Sequence, residues 1–217
     1  MCWSATADLA AGSVICALGA ACVVRTRRVR DLPLAALPLL LGAHQLVEAA
    51  VWHQGGGKSA ATTAWAVIAL PVLAAWVPLA VLLAAPPSAR ARQAVPAAVG
   101  LLTAAALAAC LADRAPRADI RGHTVGYAIH VPHSSLLIAG YLLATVGSLL
   151  IAADRILRLL GVLTAVGAAV CAGVWRMEFV STWCAFAAVV SVVMLIWVRR
   201  PARSPGTPTS AAPGPAH

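Results

Sequence analysis

The chain has 217 residues, 61% hydrophobic and 11% charged, with a formal net charge of +9. Its mean hydropathy is +0.87. A water-soluble domain needs far more surface charge, so composition points to an integral membrane protein. It excludes a sizeable soluble domain. The basic residues sit in the short gaps between apolar runs, a pattern that orients membrane helices and argues against a nucleic-acid partner.

The runs predict a polytopic bundle of seven transmembrane helices, all-α, at about 7–24, 33–52, 61–85, 93–112, 134–153, 157–175 and 179–198. A span needs about 20 apolar residues. The runs are too long and continuous for barrel strands. Residues 1–200 form the expected membrane domain. Residues 201–217, "PARSPGTPTSAAPGPAH", are too rich in Pro, Ala, Ser and Gly to fold, and read as a disordered cytoplasmic tail.

The first span opens without a basic residue before Arg25, so it reads as a retained helix rather than a cleaved signal. Arg25, Arg27, Arg28 and Arg30 follow it. Together with Arg90, Arg92, Arg155, Arg158, Arg199, Arg200 and Arg203, they place 11 basic residues on one side against 5 on the other. The positive-inside rule then predicts an outer N-terminus and a cytoplasmic C-terminus in the cell membrane.

The second span ends in "GAHQLVEAAVWHQ". His44, Glu48 and Trp52 recur every four residues and spread over about 80° of one helix face. A carboxylate near the bilayer centre costs roughly 2.5–3.5 kcal/mol, less toward the interface. Burial disfavours the charged form, so Glu48 is expected to hold a proton. A structural Glu48–His44 pair, or a bond from Glu48 to a neighbouring helix, is the plainer alternative. In the second and third spans, Pro38, Pro71 and Pro78 should bend their helices, while Pro33 fits a first turn.

The connection before the fifth span, "DRAPRADIRGHTVGYAIHVPHSS", reads as a loop and offers His123, Tyr127, His130 and His133. The connection before the seventh adds Trp175, Arg176, Glu178, Trp183 and Cys184. With Glu48, these form one polar, aromatic cap at the outer face. For Trp52 and Trp183 individually, the interfacial aromatic belt is the simpler account. The histidines match no tight zinc motif, neither HExxH nor HxxxH, so no metal and no cofactor is expected. The six cysteines form no CxxC pair. They read as small hydrophobes, and a Cys2–Cys184 bridge is compatible with the sequence but not indicated by it.

"MCWSATA", "LPLAALPLLLGAHQLVEAAVW", "GHTVGYAIHVPH" and "FVSTWCAFAA" together resemble a family of small uncharacterised bacterial membrane proteins that begin Met-Cys-(Trp/Phe)-Ser-Ala-Thr. That resemblance implies no activity. In size and span count the chain is also similar to the membrane-bound terpene cyclases of meroterpenoid pathways and to bacterial cyclases of indole or diketopiperazine sesquiterpenoids. In the fungal members, one acid on the second span and another near the last serve as proton donors. Glu48 and Glu178 match those placements, while His44 and the histidine-rich loop depart from them.

The resemblance implies proton-initiated cyclisation of a lipophilic prenylated alkene or epoxide. Glu48 would be the general acid, Glu178 a second acid and His44 the relay. Trp52, Tyr127, Trp175, Trp183 and His130 would line the substrate. A prenyltransferase or epoxidase would be the pathway partner, and the lipid bilayer the surroundings. A solute or proton carrier, an accessory subunit and a metal-dependent lipid hydrolase are the competing readings.

Overall fold

The computed structural model of the chain describes residues 4–174 and 179–200, with side chains outside 171–174 and 179–185. The expectations for Trp175, Arg176, Glu178, the Trp183 side chain, the Cys2–Cys184 bridge and the 201–217 tail lie outside the described residues.

The described residues are mostly helical. Helix α1 spans Ala5–Arg25, α2 Val29–His53, α3 Ala60–Ala84 and α4 Pro87–Asp113. These four are long and apolar enough to cross a membrane by length and composition. Helix α5 spans Ser134–Leu150, α6 Arg155–Val174 and α7 Phe179–Val198. Over the described residues these last three do not reach the same measure, so seven full spans are not what the helices show. Many large apolar side chains point outward, among them Val14, Val95, Leu102 and Leu136. A water-soluble core would bury them; a bilayer would cover them.

The second correction is the connection before α5. It is not an irregular loop. Strands β1 (Arg117–Arg121) and β2 (Thr124–Ala128) pair antiparallel. The turn between them carries Gly122 at φ +59°. The fold is therefore not purely α. The hairpin docks on the connection between α2 and α3, where Gly57 and Ala118 exchange two backbone hydrogen bonds of 2.7 and 3.0 Å. Gly55, Gly56 and Gly57 all have φ above +70°, a conformation that only glycine adopts readily.

Local chemistry sets the helix ends. The Ser4 hydroxyl caps α1 by accepting from Ala7 N at 3.2 Å, and Ser59 does the same for α3 through Thr62 N. Helix α2 is interrupted at Ala36; Pro33 and Pro38 each lie in the first turn of a helical piece. The bend expected at Pro38 is thus a restart. Pro71 lies inside a wide π-helical stretch, Ile68–Val72, which relieves the clash a proline brings to an α-turn. The Tyr141 hydroxyl of α5 donates to Ala69 O there at 2.8 Å. Pro78 lies within a continuous helical piece, Leu73–Ala84.

Helices α1 and α2 make the most extensive packing in the molecule. Small residues permit it. A Cβ added to Gly42 would stand 2.7 Å from Cys16 N, and one on Gly19 would stand 2.5 Å from Leu39 N. In a bilayer, close backbone approach of this kind is a main source of helix association. Two apolar clusters fill the interior. One gathers Leu34, Val81, Leu160 and Met194 at the arginine-rich end. The other gathers Val51, Trp65, Leu111 and Val125 beneath the hairpin.

Candidate functional site

The second cluster surrounds a group of polar side chains. On α2, Glu48 is fully buried, Gln45 nearly so, and His44 is 8% exposed. All three lie on the side that meets α1 and α3, as the four-residue spacing of His44 and Glu48 predicts. Trp65 of α3 is buried beside them. Its ring centroid stands 5.0 Å from that of His44.

Tyr127 reaches the site from β2. Its ring stacks on Trp65 with centroids 3.5 Å apart and planes within 4°. Its hydroxyl donates to Glu48 Oε1 at 3.3 Å. The stack fixes the ring, and the ring aims the hydroxyl. Trp65 therefore has His44 and Tyr127 as aromatic neighbours, and one face of Tyr127 is already taken. Tyr127, expected as a substrate-lining face, acts here as a hydrogen-bond donor to the acid.

A second carboxyl joins the site from α1. Asp8 is fully buried. It lies beside the Trp52 indole and within electrostatic reach of Glu48. Among the described residues no donor closes a hydrogen bond of good geometry on either Asp8 oxygen; the Trp52 indole is the donor that stands beside it. Asp8 stands in the first turn of its helix, where the aligned peptide dipoles favour a negative charge. His44 Nε2 and Trp65 Nε1 are likewise buried without a partner. The His44–Glu48 bond that the spacing permits is thus not made through Nε2. Buried polar atoms without partners are uncommon in folded proteins, and here they collect around one pair of acids.

Sequence reading missed Asp8 and Trp65. Asp8 carries the same signal as Glu48, an acid inside an apolar run, and it stands in the first turn of its helix. Trp65 lies at the same depth as Glu48, counted from the α2–α3 connection, yet reads as ordinary apolar filling. Other expected residues lie elsewhere. His130 is exposed and, with Lys58, Asp113 and Arg114, lines a cavity of about 560 Å³ that none of His44, Glu48, Trp65 or Tyr127 lines. His123 is exposed in the hairpin turn. His133 is exposed before α5, with φ +50°. Among the described residues, no three His, Cys, Asp or Glu side chains gather as a metal-ligand set.

Residues 1–209 match the model of a family described as "Family of unknown function (DUF6629)". The chain belongs to that family. No curated protein and no solved structure matches it.

Proposed function

We propose that the protein is a membrane-bound cyclase that protonates a lipophilic prenylated alkene or epoxide and guides the ring closure that follows. The observation that carries this reading is Glu48. It is a fully buried acid, held by Tyr127 and set within electrostatic reach of a second buried acid, Asp8. A dry acid that is fixed in place is what proton-initiated cyclisation requires.

In the proposed reaction Tyr127 occupies Glu48 Oε1, and Oε2 carries the proton. That proton passes to an alkene carbon, leaving a cation, or to an epoxide oxygen, whose C–O bond breaks to give a hydroxyl and a cationic carbon. The π electrons of a second alkene form the new carbon–carbon bond. The resulting cation loses a proton from an adjacent carbon to Asp8, so no oxidant or reductant is consumed. Aromatic faces such as Trp52 steady the cation on the way. His44, whose Nε2 is buried without a partner, would return the proton to Glu48. Glu178 retains the second-acid role that the family resemblance implies. A prenyltransferase or epoxidase would make the substrate.

The same reading includes seven crossings of the cell membrane, with the N-terminus and the Glu48 end outside. A proton or small-solute carrier is the second reading, favoured by two buried acids, Asp8 and Glu48, within electrostatic reach of each other. The deciding experiment feeds prenylated indoles or their epoxides to cells with and without the gene and compares products. Glu48→Gln keeps the shape and removes the acid. It should leave folded protein nearly unchanged and lower cyclisation by a factor on the order of 10². Parent-rate turnover in Glu48→Gln would defeat the catalytic assignment. Proton flux in proteoliposomes without any product would favour the carrier.

A further inference from the structure

The opposite end of the molecule carries a second site that the cyclase reading does not use. A cavity of about 720 Å³ opens there. Arg27, Arg28 and Arg30 reach it from the connection between α1 and α2 and the start of α2, Arg155 and Arg158 from the start of α6, and Arg200 from just beyond α7. Three stretches far apart in sequence thus converge on one space. Positive-inside orientation requires arginines at this end of the molecule. It does not require them to line a common cavity.

Two carboxylates share the cavity. Asp154 binds the Arg200 guanidinium at 2.9 Å, and Asp31 stands 3.8 Å from Arg30. Six guanidiniums against two carboxylates leave a surplus of four positive charges. Arg27, Arg155 and Arg158 form no ion pair among the described residues. The walls between them are apolar, with Val81, Leu157 and Trp197 facing the space. Deeper still is Gln93, fully buried, whose Nε2 donates to Ser148 O at 3.0 Å while Oε1 has no partner. The free Gln93 Oε1 is an acceptor, so it calls for a donor such as a guanidinium or water, and the case for an anion rests on the arginines.

We propose that this cavity binds an amphiphile with a net-negative phosphate headgroup, with the arginines clasping the phosphate and the apolar walls taking the first part of its chain. Guanidinium forks match phosphate oxygens and form charge-assisted hydrogen bonds with them. A sulfate-free, purely apolar ligand would leave the arginines unanswered. A purely inorganic anion would leave the walls uncovered. The shared chemistry is the phosphate, supplied either by an anionic phospholipid or by a soluble phosphate.

The test uses the full chain in detergent. Phosphatidylglycerol, phosphatidylcholine and pyrophosphate are titrated separately, and binding is followed by native mass spectrometry and thermal midpoint. Saturable binding of phosphatidylglycerol over phosphatidylcholine is expected. The double variant Arg27→Gln, Arg158→Gln should weaken it by about tenfold or more, since each lost charged hydrogen bond is worth close to that factor. The control Arg92→Gln, Arg121→Gln removes the same charge outside the cavity and should bind as the parent does. Competition by pyrophosphate assigns the site to the phosphate group alone; retention against pyrophosphate assigns it to the lipid. Equal binding of phosphatidylcholine by the parent overturns the proposal without any variant. So does equal weakening in the control pair. If the glutamine variant fails to fold, Arg27→Lys, Arg158→Lys keeps the charge and should bind within a few-fold of the parent.

Discussion

Asp8 is the side chain most open to test, because it is fully buried and the Trp52 indole beside it closes no hydrogen bond of good geometry on it. Asp8→Asn removes a charge from a buried position and keeps the volume. Thermal stability should hold or rise, since burying a charge close to a second acid is costly. Turnover should fall about 10²-fold if Asp8 takes the closing proton. Unchanged turnover with a lowered thermal midpoint would make Asp8 structural. Tyr127→Phe keeps the stack on Trp65 and removes only the donor. Product formation should drop about tenfold, the worth of one hydrogen bond to a carboxyl group. An equal loss of stability would instead assign the hydroxyl to folding.

At the scale of elements, the approach of α1 to α2 sets the site. Gly12 and Gly42 let the backbones close, and that closure carries Asp8 toward Glu48. Gly42→Ala places a Cβ 2.5 Å from Cys16 Sγ and 2.7 Å from Cys16 N. The helices must part, at about 1–3 kcal/mol of overpacking strain. A lower thermal midpoint and slower turnover are expected together, read by differential scanning fluorimetry and product assay. Helical elements were legible because apolar runs of span length admit few alternatives. The His44–Glu48 face was legible because both residues belong to one helix and a fixed period. Asp8 was not, because only packing between helices pairs it with Glu48. The hairpin was not, because each strand has five residues and is half polar. Its one local signal was Gly122 between two short alternating stretches.

Across the whole molecule, the two ends differ in chemistry. One end carries the acids and the aromatic stack, and the other carries the arginine-lined cavity. The proposed orientation puts the arginines in the cytoplasm, in keeping with the positive-inside rule. Reporter fusions after residues 30, 58, 90, 115, 156 and 203 should alternate, with 30, 90, 156 and 203 inside. Position 115 is chosen because it precedes β1 and leaves the hairpin uncut. If 30 and 203 reported opposite sides, seven crossings would be wrong and an even number would replace them.

The hairpin's anchorage also bears on the order in which the protein is made. Tyr127 stands 79 residues beyond Glu48. Chains emerge from the ribosome N-terminus first, so α1 and α2 can enter the bilayer and bring Asp8 and Glu48 together while Tyr127 is still unsynthesised. For the whole of that interval the acids have neither the stack nor the hydroxyl above them. Closure waits for the hairpin to reach the three glycines and latch through Gly57. The nascent site therefore lacks its aromatic cover for that interval, and is covered only when the hairpin arrives.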